Sequence, residues 1–156
     1  MTSTRVEQAV AFYQQGYTCT QSILASFAER YGLQQSLAFR IGEPFGAGMS
    51  CTGGMCGAVT GAIMVLGLQY GSVLSTDYAA RTRTYQSVQE LIRRFTAIRG
   101  SIQCTDLLGY NLSDPEQLQT VWEKDLFNQL CPIIVRDAAK ILMELLEEPI
   151  PSHPSS

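Results

Sequence analysis

Five cysteines, Cys19, Cys51, Cys56, Cys104 and Cys131, carry the reactive chemistry that this sequence offers. Its one histidine, His153, stands in a closing Pro/Ser stretch, so a metal site in the core would rest on thiolates. The cysteine count is odd, and Met1–Gln8 shows no basic, then apolar, leader. Reduced thiols in a cytoplasmic setting are therefore expected rather than a disulfide framework. Such thiols have three uses. Four can ligate an iron–sulfur cluster or one metal ion. A pair can cycle between dithiol and disulfide. Or they can be inert, packing as small hydrophobes in a helical structural or interaction protein.

Spacing separates these uses only in part. There is no Cys-x-x-Cys pair, so neither a thioredoxin motif nor a zinc ribbon is supported. Without Cys-x-x-Cys-His, no haem is expected either. Cys51 and Cys56 are five residues apart and would face different ways on a continuous helix. In a glycine-rich loop they can still meet, as a redox disulfide or as alternative ligands.

The elements that must position these thiols read as helices, and strand alternation is absent. Phe45–Gly61 packs six glycines and two cysteines into seventeen residues, then runs into the apolar Ala62–Leu68. That pattern predicts a helix from about Gly54 to Tyr70, ended by Gly71, with Cys56 in its first turn. Gly57 and Gly61 would give it a face almost without side chains, where a cofactor or another backbone can come close.

Upstream, Thr4-x-x-Glu7 and Thr18-x-x-Gln21 read as capping boxes opening two helices, which Gly16 and Gly32 close; Cys19 falls at the first position of the second. Ser36–Ile41 is a short helix. Downstream, Ser75-Thr76-Asp77 caps a long helix to about Ile98, with Tyr85, Val88, Leu91, Ile92, Phe95 and Ile98 as its core side. Ile102–Leu108 is a short helix with Cys104 in its first turn, and Ser113-Asp114-Pro115 starts another. By the same proline rule Cys131-Pro132 opens the last long helix, with Cys131 at its N-cap.

The expected fold is all-α: a single-domain bundle of about five main helices with short connecting helices over 1–148, then a disordered Pro/Ser tail over 149–156. On this map Cys19, Cys56, Cys104 and Cys131 each lie in or beside the first turn of a different helix. Free N–H groups and the helix dipole there favour thiolate over thiol.

Other classes are less well supported. A net charge of −3 argues against a nucleic-acid partner. Arg81, Arg83, Arg93, Arg94 and Arg99 form either a solvated helix face or a basic patch for an acidic partner. Nineteen residues, Gly53 to Gly71, carry no charge, but the apolar part is short and lacks Lys/Arg flanks. A core helix is expected there, not a membrane span.

The order Cys19 … Cys56-Gly57-Ala58-x-x-Gly61 … Cys104 … Cys131 resembles the redox-active protein family named for its C_GCAxxG_C_C motif. The phrases Cys19-Thr-Gln-Ser-Ile-Leu, Phe45-Gly-Ala-Gly-Met and Cys104-Thr-Asp-Leu-Leu-Gly are similar too, and the likeness runs from about Cys19 to Leu146. The related cysteine module of split-Soret-type cytochromes implies an iron–sulfur cluster, with Cys19, Cys56, Cys104 and Cys131 as its ligands and Gly57 and Gly61 beside it. A redox partner protein is implied as well, and a homo-oligomer stays open. This chain departs from the motif in reading Cys-Gly-Ala for Gly-Cys-Ala, and in carrying Cys51 as an extra thiol.

Overall fold

The structure, a computed structural model, describes residues 4–148. The tail expected over 149–156, with His153, lies outside them. The described chain is all-α, with one hydrophobic core. Its helices are α1 (Thr4–Gln14), α2 (Cys19–Ala28), α3 (Gln35–Gly42), α4 (Gly57–Tyr70), α5 (Tyr78–Arg99), α6 (Cys104–Leu108), α7 (Pro115–Glu123) and α8 (Leu126–Glu147).

Many helix ends follow from local chemistry. Thr18 and Gln21 form a capping box, so α2 starts at Cys19. Asp77 accepts the Ala80 N–H at 3.0 Å to open α5. Asp114 caps α7, with Pro115 in the first position, where a missing N–H is harmless. The first capping box is not realised in that form: Thr4 already lies within α1, and the Glu7 carboxylate pairs with Arg136 of α8.

The glycine-rich helix starts three residues later than predicted, at Gly57, with Cys56 as its N-cap. The backbone just before it is in use elsewhere: Met55 forms an antiparallel bridge with Gln103. The last helix departs further. It starts at Leu126, after Asp125 in a left-handed conformation (φ 56), and Pro132 lies inside it. Cys131 therefore sits in the second turn, not at an N-cap. The proline withholds one N–H from the Asn128 carbonyl, at a cost of roughly 3 kcal/mol. The buried stripe Ile134, Ala138, Ile141, Leu142 and Leu145 holds the helix together across it.

α2 and α4 make the most extensive helix contact, and α8 and α5 close over α4. On α5 the buried residues are Ala80, Ser87, Leu91 and Phe95. Tyr85 and Ile98, expected in the core, are 61% and 59% exposed. Tyr85 falls across the helix from Ser87, whereas Ile98 is in line with Ala80 and Leu91 but lies in the last turn of α5. Arg94 binds Glu90, Glu144 and Glu148, while Arg99 binds Asp137, so two of the five arginines fasten α5 to α8. Among the described residues no helix is long and apolar enough to cross a membrane.

Candidate thiol site

All five cysteines line one cavity of about 390 Å³. Cys19 is the first residue of α2, Cys56 caps α4, and Cys104 is the first residue of α6. Cys131 reaches the cavity from the second turn of α8. These four are buried, Cys51 is half-buried, and all are free thiols. Tyr13, Phe127 and the 63% exposed Trp122 complete the wall around them.

Two cysteines are placed by the backbone. Cys56 N–H donates to the Ile102 carbonyl at 2.7 Å, and Cys104 N–H donates to the Gly54 carbonyl at 2.7 Å. This is one rung of an antiparallel ladder, with Met55 and Gln103 as the directly opposed pair. Alternation along each strand puts Cys56 and Cys104 on the same face of it. Diagonal neighbours of this kind have Cα atoms about 7–8 Å apart. That suits two ligands facing a shared group better than a disulfide, whose Cα atoms stand about 4.4–6.8 Å apart.

The other two face each other. The Cys19 thiol and the Tyr13 hydroxyl lie close enough to the Cys131 sulfur to act on its ionisation. Tyr13 Oη donates to the Phe127 carbonyl, one turn before Cys131, at 3.0 Å. The nearby Cys19 thiol holds the Cys131 thiol below its ordinary pKa against the opposing effect of burial, and the Tyr13 hydroxyl adds to it. The same nearness, with burial, pushes Cys19 well up. At helical spacing from Val6, Ala9 and Val10, Tyr13 reads from the sequence only as a core residue of α1. Its place beside a thiol follows from α1 packing on α8.

Helix N-termini do not win at the remaining positions. Burial raises Cys56 to about 11, although the N–H groups of Ala58 and Val59 pull it down. Burial, then the nearby thiols of Cys56, Cys131 and Cys51, raise Cys104 as well. Desolvation outweighs the dipole here, so these thiols are protonated in the metal-free protein.

The glycines divide between two roles. Gly57 lines the cavity and also lies against α2, where an added Cβ would stand 2.6 Å from Thr20 Oγ1 and 3.1 Å from Cys19 Cβ. Gly61 does not line it. Its bare face admits Thr20 and Ile23 of α2, so the second glycine serves helix packing rather than cofactor clearance.

Cys51 stands on an unusual segment. Ala47, Gly48, Met49, Ser50 and Cys51 all have positive φ, from 54° to 70°, making a left-handed turn of one and a half windings' length. Left-handed winding costs about 1–2 kcal/mol per non-glycine residue. The turn is tied down by Gly54 N–H to the Gly48 carbonyl at 2.9 Å and Thr52 Oγ1 to the same carbonyl at 2.7 Å. Apart from Gly48, no residue type in it announces this conformation.

Among the described residues, no three His, Cys, Asp or Glu side chains are gathered tightly enough to hold a metal ion as they stand. The thiols ring a cavity instead of meeting at a point. Residues 17–145 match the family described as "Putative redox-active protein (C_GCAxxG_C_C)". No curated protein and no solved structure matches the chain significantly.

Proposed function

The chain belongs to the C_GCAxxG_C_C family, and from that premise we propose that it is a redox-active protein holding an iron–sulfur cluster on Cys19, Cys56, Cys104 and Cys131. The observation that carries this reading is the gathering of all four, from four separate helices, around one 390 Å³ cavity. Two chemical arguments support it. Thiols raised by burial and by one another are a costly place for negative charge, and a metal cation relieves that cost by binding them as thiolates. A ring of thiols around a volume also suits a polynuclear group better than a single ion, whose sulfur ligands must all lie about 2.3 Å from one point.

When bound, such a cluster supplies a one-electron couple, for electron transfer or redox sensing. The chain's own residues would do the rest. The apolar side chains of Ile134, Leu108 and Phe127 line the cavity and would limit water around a bound group. The Tyr13 hydroxyl, held by the Phe127 carbonyl, would stand beside the Cys131 sulfur and close that side of the cavity. A redox partner protein would approach at the Trp122 edge, the exposed side of the wall.

The test is anaerobic reconstitution with ferrous iron and sulfide. Expected are visible charge-transfer bands with bound iron and sulfide, and loss of both in Cys56→Ser and Cys104→Ser proteins. A colourless chain free of iron and sulfide after that treatment would sink the proposal. A second reading, metal-free thiol/disulfide cycling, is favoured by the nearness of Cys19 to Cys131, where each acts on the other's ionisation. It predicts paired loss of those two thiols under mild oxidant and no iron uptake.

A further inference from the structure

Cys51 has no part in the four-thiol arrangement, yet it is the most accessible of the five sulfurs on the cavity wall. The turn that carries it is pressed against Cys104. A Cβ built on Gly48 would stand 2.8 Å from the Cys104 Cβ. Cys51 follows Gly48 by three residues, one left-handed winding on, and so lies over the same face of the turn. The strand after the turn is fastened to the start of α6, where Gly54 and Gly53 carbonyls accept the N–H groups of Cys104 and Thr105 at 2.7 and 3.2 Å. Cys51 and Cys104 share one wall of the cavity, and the Cys51 thiol is near enough to Cys104 to act on its ionisation.

We infer that Cys51 and Cys104 close into a disulfide when the metal-free protein meets a peroxide. Cys51 reacts first, its sulfur attacking the peroxide O–O bond, because it is the accessible sulfur. Its sulfur takes one peroxide oxygen, giving a sulfenic acid and releasing water from hydrogen peroxide. The Cys104 sulfur then displaces the hydroxyl, which leaves as a second water with the thiol proton. Two electrons pass from the two sulfurs to the peroxide. The remaining approach falls on a turn whose backbone leaves a high-energy basin as it moves. Cys56 is the less suitable partner for Cys104, because the ladder rung holds the two on a diagonal. The consequence is regulatory: oxidation withdraws Cys104 from the thiol ring and blocks metal loading. The disulfide itself does not depend on the cluster reading, since it forms in the metal-free chain.

The experiment oxidises reduced, metal-free, full-length protein with one equivalent of hydrogen peroxide, blocks the remaining thiols, and maps the cross-link. Cleavage after Met49, Met55 and Met64 separates Cys51 from Cys56, and cleavage after Arg99, Lys124 and Arg136 separates Cys104 from Cys131. Two of the five thiols are expected to disappear, with Ser50–Met55 joined to Gly100–Lys124. In a Cys104→Ser protein Cys51 is expected to persist as a sulfenic acid that a 1,3-dione traps. A cross-link joining Cys51 to Cys56 or Cys131, a cross-link that omits Cys51, or five thiols surviving in the wild-type protein would each overturn the inference. None of these outcomes bears on iron and sulfide uptake, so the two ideas fail separately.

Discussion

Gly61 of α4 meets Ile23 of α2 so closely that a Cβ on the glycine would stand 3.0 Å from the Ile23 Cβ and 3.0 Å from the Thr20 carbonyl oxygen. Neither neighbour is the free end of a flexible chain. A Gly61→Ala protein should therefore lose about 1–2 kcal/mol, the overpacking exceeding the gain in helix propensity. Gly67, on the same helix, has nothing within 4 Å of its would-be Cβ. Gly67→Ala should gain about 0.5–1 kcal/mol. Urea midpoints that move the same way in both variants would refute this division of the helix.

The left-handed turn makes a second contrast. At Gly48 an added Cβ would lie 2.5 Å from the Gly54 nitrogen and 2.8 Å from Cys104 Cβ, at φ +70. Gly48→Ala should lose about 2–5 kcal/mol, combining strain with overpacking. Ala47 has φ 54 without a glycine's freedom, and Ala47→Gly should gain about 1 kcal/mol. Thermal unfolding of the two variants checks both signs.

Ser87 is fully buried on α5, and its Oγ has no partner among the described residues. An unsatisfied hydroxyl of this kind is destabilising, so Ser87→Ala should raise stability by about 1 kcal/mol. A loss on denaturant titration would mean that the hydroxyl is bonded after all.

Acid should weaken the ion pairs that Glu90 makes along α5. Hydrogen bonds from Arg93 and Arg94 hold the Glu90 carboxyl down at about 2, below its ordinary 4.5. A depressed carboxyl stabilises the folded chain above the unfolded value, and that contribution fades as pH falls from about 4.5 toward 2. The pair is partly exposed and screened, so the effect is small and weakens with salt. Stability measured from pH 5 to pH 2.5 should fall less steeply for Glu90→Gln than for the wild-type chain; parallel curves would remove Glu90 from the account.

Much of the frame was legible because it rests on short-range chemistry. The Thr18/Gln21 box, the Asp77 and Asp114 caps and the left-handed closing residues Gly32, Gly100 and Gly109 each act within four residues. Cys131 was misplaced because Pro132 follows it and proline usually marks a first turn; whether a proline opens a helix or interrupts one depends on packing far along the chain. Likewise the effect of helix ends on the thiols was read from the sequence, but the burial that reverses it at Cys56 is tertiary. Cys19, Cys56 and Cys104 do stand at helix starts, as their local sequence reads, and Cys131 joins their cavity from within α8. The turn at Ala47–Cys51 was not legible, since four of its five residues are types that avoid that conformation.

The rung between Gly54–Cys56 and Ile102–Cys104 has one more implication, for how this protein can diverge. Peptide hydrogen bonds define it, and every residue type except proline can make them. One edge of the thiol ring is therefore gauged by a ruler common to all sequences. Neighbouring side chains can drift without changing its length, whereas inserting or deleting a single residue between the glycine-rich turn and Cys56 would swing that sulfur to the opposite face.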